Sequence, residues 1–193
     1  CLTPLTSRPA SANATDKAAD RFAACVAASG QADVLVLMDE SGSLRRTDPE
    51  GARLAATRFL LGRLTDIAED GPVSIGVRLA GFGDEYQTLT EWRPLNNSTL
   101  PALTERVSTY ANDTNATDYW LGLDGARRDL AARAKERPNA CRAIVFFSDG
   151  ALDIQRGRSE DDYHRIDRPY ADGNPLRTQD QRDAAAQAAE KSL

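Results

Sequence analysis

The sequence predicts an α/β fold: a doubly wound, mostly parallel sheet with helices on both faces. Two unbroken apolar runs, Val34-Leu35-Val36-Leu37-Met38 and Ala143-Ile144-Val145-Phe146-Phe147, lack the alternation of a strand that is wet on one side. A strand covered on both faces reads that way, which points to parallel pairing beneath helices. Each run leads into an aspartate followed closely by small residues: Asp39 precedes Ser41-Gly42-Ser43, and Asp149 precedes Gly150. Counted from the first run to the second, the pattern is β-α-β-β-α-α-β, the order of a doubly wound sheet. A chain of 193 residues suffices for one core of ordinary size.

Taken in order, residues 1–16 are rich in Ser, Thr, Pro and Ala without periodicity and read as a signal remnant or linker. Residues 17–29 suit a short helix ended by Gly30, so that 1–30 precede the main domain at 31–193. After the first strand, Asp48-Pro49 is a good helix start, and Ala56, Leu60, Leu64 and Ile67 recur at helical spacing to give one apolar face. Val73, Ile75, Val77 and Leu79 alternate along the next strand, and Tyr86 to Trp92 reads as an edge strand. Thr99 can cap a helix presenting Leu103, Val107 and Tyr110. A longer helix after Thr117 turns Trp120, Leu123, Leu130 and Ala134 inward, with Pro138 beyond its end. Residues 151–178 have few apolar side chains and no period, the mark of a long loop. Residues 179–192 favour helix, with an apolar face that is nearly all Ala.

A net charge of -5, with Arg residues interleaved among acids throughout, argues against a nucleic-acid partner, which needs a clustered basic face. No stretch approaches the ~20 apolar residues of a membrane span, so membrane association would require an anchor not visible here. The chain opens at Cys1, and Ala12-Asn13-Ala14 resembles a signal-peptidase site. Three readings stay open: a start within an export signal, a lipidated Cys1, or an arbitrary boundary. Cys1, Cys25 and Cys141 match no zinc spacing. In an exported protein Cys25 and Cys141, which precede the two central strands, become disulfide candidates, against the alternative of two separate buried thiols.

The chemistry concentrates in Asp39-x-Ser41-x-Ser43. Ligands of a doubly wound sheet sit beyond the carboxyl ends of the strands, where strand order reverses, and Asp39 is placed there. Ser41 and Ser43 can aim two hydroxyls at one point. Such oxygen donors are hard ligands, suited to Mg²⁺ rather than Zn²⁺. Glu40 and Asp118 neighbour these residues and read as solvated.

The segment DVLVLMDESGS resembles the opening strand and metal-ion-dependent adhesion site of the von Willebrand factor A family. Two further segments agree in order: NATDYWLGLDGA supplies Thr117 at the head of a helix, and IVFFSDG supplies Asp149 at the end of a buried strand. The resemblance covers residues 31–150. It implies that Ser41, Ser43 and Thr117 touch a Mg²⁺ ion (or Mn²⁺ or Ca²⁺) through hydroxyls, while Asp39 and Asp149 act through bound water and hydrogen bonds. The remaining position would accept an Asp or Glu carboxylate from a partner protein, in a secreted or cell-surface setting and without catalysis. Family members carry two further strands after the Asp-Gly pair, so a truncated domain is expected.

Other classes fit less well. A phosphohydrolase of the haloacid dehalogenase type needs a second Asp two positions after the first, and Ser41 stands there. A serine hydrolase lacks G-x-S-x-G, and the single histidine, His164, lies in the charged loop. A subunit bound to an ATPase partner keeps the same fold and remains the runner-up, which an export signal would oppose.

Overall fold

A computed structural model describes residues 12–149 of the protein. Cys1, His164, the expected loop at 151–178 and the expected helix at 179–192 lie outside the described residues. The elements follow the chain as α1 (Ala12–Ser29), β1 (Gln31–Asp39), α2 (Leu44–Thr47), α3 (Ala52–Asp70), β2 (Ser74–Phe82), β3 (Tyr86–Thr88), β4 (Arg93–Pro94), α4 (Leu100–Val107), α5 (Tyr119–Glu136) and β5 (Cys141–Phe147). The first helix therefore begins five residues before the expected residue 17.

The sheet order is β3-β2-β1-β5, with β4 also paired to β2. β1 is parallel to both β2 and β5, while β3 and β4 run antiparallel to β2. The two strands that lead into Asp39 and Asp149 thus lie side by side, with Met38 opposite Phe147. β1 is buried from Ala32 onward because it is covered twice. Val34, Val36 and Met38 join the core cluster that also holds Leu61, Leu103 and Val107 from α3 and α4, with Phe22 and Val26 of α1 packed against it. Leu35 and Leu37 point the other way, among Leu123, Ala126 and Leu130 of α5. Removing one of these leucine side chains would cost roughly 2–5 kcal/mol.

Two details differ from the sequence reading. The single edge strand expected from Tyr86 to Trp92 is split, because the N–H groups of Leu89 and Thr90 both donate to the Leu79 carbonyl and so end β3 in a bulge. The buried face of α3 is also rotated. Ala56 and Ile67 are exposed, Leu60 and Leu64 are half-buried, and the deepest positions are Arg53, Thr57, Leu61 and Thr65. Both threonines tolerate burial because their hydroxyls donate back to the carbonyls of Arg53 and Leu61, each at 2.8 Å. The helix starts at Ala52 rather than at Pro49, yet Asp48 still serves it, accepting from the Ala52 N–H at 2.6 Å.

Cys25 and Cys141 form a disulfide, with Cα atoms 5.9 Å apart. Cys141 opens β5 opposite Ala32, so the bridge fastens α1 to the amino end of the sheet, as the positions of the two cysteines before the central strands suggested.

Candidate metal centre

At the carboxyl end of β1 the chain turns on its own side chain. The Ser41 N–H donates to Asp39 Oδ1 at 2.8 Å, closing the two-residue turn that Asp favours. The turned segment is then zipped to the stretch before α5. Gly42 N–H donates to the Thr114 carbonyl (2.9 Å) and Thr114 N–H to the Glu40 carbonyl (3.3 Å), while Ser41 and Thr114 form a parallel bridge. This contact brings the loop carrying Thr117 against the loop carrying Ser41 and Ser43. Thr117 is buried at the head of α5, where Asp118 caps the helix by accepting from the Leu121 N–H at 3.1 Å.

The side chains converge on one spot. Ser41 Oγ and Ser43 Oγ are 2.9 Å apart, and Ser43 donates to Asp149 Oδ2 at 2.7 Å. Thr47, one turn after Ser43, places its hydroxyl 2.7 Å from the same Oδ2 atom. On the other side, Ser148 donates to Asp39 Oδ2 at 2.8 Å, and its oxygen lies 2.6 Å from the Tyr119 hydroxyl.

Two carboxylates therefore face each other across a set of hydroxyls. Asp39 is fully buried, and this burial pushes its carboxyl above the ordinary value. Hydrogen bonds from Ser41 and Ser148 oppose the rise, whereas the charge of Asp149 adds to it. Among the described residues no Arg or Lys pairs with either aspartate. Asp149 Oδ1 is buried with no hydrogen-bond partner among them. A buried carboxylate oxygen in that position costs free energy unless a donor or cation meets it.

The donor set fits a small hard cation. Among the described residues no three His, Cys, Asp or Glu side chains gather as a nitrogen–sulfur site would require; the converging donors are mainly hydroxyls. Neighbouring vertices of an octahedron around Mg²⁺, at its usual ~2.0–2.1 Å bonds, are ~2.9–3.0 Å apart. The two serine oxygens, hydrogen-bonded to each other at 2.9 Å, lie close enough to occupy two such vertices.

The sequence profile described as von Willebrand factor type A domain matches residues 34–151. The chain belongs to the von Willebrand factor type A family. Among solved structures it is similar to three N-terminal domains of the type V pili tip protein Mfa5 from Porphyromonas gingivalis, with 16% identity, a TM-score of 0.51 and coverage of 63% of this chain and 20% of that one. It is also similar to proximal thread matrix protein 1 from the mussel byssus with a zinc-occupied MIDAS motif, at 20% identity, TM-score 0.50, and coverage of 70% and 35% of the two chains. At these identities the likeness concerns the fold, and the chain spans about a third or less of the length of these proteins. Comparison with curated protein sequences gave no match.

Within this type A domain, hydrogen bonds join Asp39 to Ser41, Ser41 to Ser43, and Ser43 to Asp149. Thr117 arrives differently, through the backbone zipper between its loop and residues 40–42. Glu40 and Asp118 are not solvated as expected. Glu40 is 2% exposed and Asp118 is fully buried. Glu40 turns inward between Ala111 N–H (2.9 Å) and Gln87 Nε2 (2.6 Å), over Gly81, where an added Cβ would lie 1.9 Å from its Oε2. Burial pushes its carboxyl up, against those two donors. Thr47, Ser148 and Tyr119 were missed altogether. Only Thr47, four residues after Ser43, and Ser148, adjacent to Asp149, had positions that a search for extra hydroxyls could have used.

Proposed function

We propose that this domain captures a protein partner through one divalent cation, Mg²⁺ in first place with Mn²⁺ or Ca²⁺ as alternatives, and that it is a binding module rather than an enzyme. The observation that carries this reading is the partly buried, oxygen-only cluster at the crevice beside β1 and β5, where two carboxylates lack a basic partner among the described residues and the buried Asp149 Oδ1 has no hydrogen-bond partner among them. The hydroxyls of Ser41, Ser43 and Thr117 hold the ion. Asp39 and Asp149 orient those hydroxyls and bound water. Because Ser43 gives its proton to Asp149, it accepts from Ser41 with one lone pair and keeps the other open to a metal. Three neutral ligands leave the ion electron-poor, and what it supplies is a site for one further anionic oxygen. An Asp or Glu carboxylate on the partner meets that need.

The names of the similar structures, a pilus tip protein and a byssus matrix protein, agree with a role in adhesion or assembly. The zinc in the byssus protein belongs to that protein; here the hydroxyl donors favour a hard cation such as Mg²⁺. The Cys25–Cys141 disulfide supports an extracytoplasmic setting over an ATPase-associated one, since such bonds persist in oxidising compartments. No described helix is long and apolar enough to cross a membrane.

The test uses linkage. Calorimetric titration of Mg²⁺ is repeated in the presence of an acetylated aspartate amide, with the asparagine compound as control. Binding of a carboxylate to the ion must tighten Mg²⁺ binding by the same factor as Mg²⁺ tightens carboxylate binding. We expect the aspartate compound alone to raise Mg²⁺ affinity, and Ser43→Ala to remove the effect. Equal behaviour of the two compounds would overturn the carboxylate-capture reading.

A further inference from the structure

The three segments of the site are joined by a hydrogen-bond chain that ends on Asp39 and runs through two residues outside the five assigned to the cation. Tyr119 opens α5, two residues after Thr117; Ser148 follows β5, one residue before Asp149; Asp39 ends β1. The Tyr119 hydroxyl is 2.6 Å from Ser148 Oγ, and Ser148 Oγ is 2.8 Å from Asp39 Oδ2. Proton direction follows from the inventory of donors. Ionised Asp39 can only accept, Ser148 has one proton and gives it to Asp39, so Tyr119 donates to Ser148. Such a chain polarises along its length, each bond strengthening the next.

What makes the chain more than a surface contact is the fixing of its far end. The Tyr119 ring meets Phe82 edge-on at 5.9 Å and Phe146 edge-on at 5.1 Å, while Phe82 and Phe146 stack at 5.2 Å. These rings come from α5, β2 and β5. Gly122, one turn into α5, lets Phe82 approach, since an added Cβ there would stand 2.7 Å from the Phe82 ring. Edge-to-face and offset geometry of this kind holds a ring in one orientation. The phenol oxygen is thereby aimed at Ser148 by packing that the core supplies.

We propose, on the basis of the cation-site reading above, that Tyr119 and Ser148 are positioning residues that set the orientation of the Asp39 carboxylate, and through it the affinity of the site for its cation. Asp39 has two oxygens to place. Oδ1 is fixed by its own turn through the Ser41 N–H, and Oδ2 is fixed by the Ser148–Tyr119 arm. Loss of the arm frees the carboxylate to rotate about χ2 and weakens its hold on metal-bound water and on the serine loop. The arm also couples Thr117's helix to Asp39 by a route independent of the backbone zipper at Thr114.

The test is a double-mutant cycle read by Mg²⁺ calorimetry on the full chain, with Tyr119→Phe, Ser148→Ala and the pair. Tyr119→Phe keeps the ring and its packing and removes only the hydroxyl. Changes to groups that orient metal ligands cost about 10-fold or more in affinity. We expect about 10-fold weaker Mg²⁺ binding for Ser148→Ala, a smaller loss for Tyr119→Phe, and a loss in the double variant no greater than in Ser148→Ala, because Tyr119 reaches Asp39 through Ser148. Ser148→Thr, which retains a hydroxyl, should restore binding to near wild type. A merely structural role would instead give additive losses and no rescue by Thr. Additive losses, or wild-type affinity in both single variants, overturn this inference while leaving the cation site standing. Absence of Mg²⁺ binding by the unaltered chain overturns the cation reading and this inference with it.

Discussion

The two ends of β1 carry the same residue type in the same degree of burial, and they treat it differently. Asp33 near the amino end and Asp39 at the carboxyl end are both fully buried. Burial pushes both carboxyls above their ordinary value. At Asp33 the opposing influence is cationic: Arg137 donates to its Oδ1 at 2.6 Å and Arg133 stands 3.3 Å from Oδ2. At Asp39 the opposing influence is a backbone N–H and hydroxyls, and the like charge of Asp149 adds to the rise. The amino end also holds the disulfide, and Arg137 reaches across to the Ala32 and Ser74 carbonyls. One end is thus neutralised and cross-linked by the chain itself. The other has gathered oxygen donors and left the counter-charge to come from solution. On the proposed reading, stability resides at the first and binding at the second.

Breaking the amino end should lower stability in every buffer and leave cation binding alone. The largest loss is expected from removing the disulfide with Cys25→Ala and Cys141→Ala. The bond closes a loop of 116 residues, and the chain-entropy relation assigns such a loop about 4–5 kcal/mol. Denaturant unfolding measures it, and the Mg²⁺ dissociation constant should not move. Next is Arg137→Met, which leaves a buried carboxylate with one guanidinium. Removing one partner of a buried pair costs about 3 kcal/mol or more, with equal loss in Mg²⁺ and in chelator.

Changes at the carboxyl end should show the reverse pattern. Asp149→Asn keeps an acceptor for Ser43 and Thr47 and removes a repulsive charge, so stability in chelator should stay within about 0.5 kcal/mol of wild type. What falls is the stabilisation by Mg²⁺, from about 2.7 kcal/mol for an ion present at 100 times its wild-type dissociation constant to about 1.4 kcal/mol or less. Thermal denaturation with and without chelator reads both. The smallest effect concerns pH. A carboxyl whose folded pKa is raised contributes stability that is present below its ordinary value, 3.8, and lost as pH rises through the folded value. In chelator, wild type should therefore lose stability relative to Asp39→Asn over the window that opens at 3.8. Saturating Mg²⁺ should reverse the ranking near neutral pH.

How much of this was legible in the sequence depended on whether the cause was local. β1 and β5 could be read because burial on two faces forces an unbroken apolar run, and the Asp39 turn because its hydrogen bond spans two residues. The adjacency of the two strands followed from their shared destination. The face of α3 was misread because periodicity counts apolar residues, whereas Thr57 and Thr65 are buried with their hydroxyls satisfied inside the helix. Glu40 was taken as solvated because its burial rests on remote features: a glycine on β2, an amide of Gln87 and the N–H of Ala111. Ser148 could be sought beside Asp149, but Tyr119 had no signature, since its contact with Ser148 joins positions 29 residues apart. Thr117 was found through resemblance, and its approach to Ser41 rests on Thr114, which no motif marks.

The contrast between the two ends of β1 is tested most directly by calorimetric titration of Mg²⁺ into three proteins: the unaltered chain, Asp149→Asn and Arg137→Met. Our account predicts one ion per chain for the unaltered protein and for Arg137→Met with the same dissociation constant, and at least ~10-fold weaker binding for Asp149→Asn. Mg²⁺ binding of equal strength in Asp149→Asn, or no binding by the unaltered chain, would contradict it.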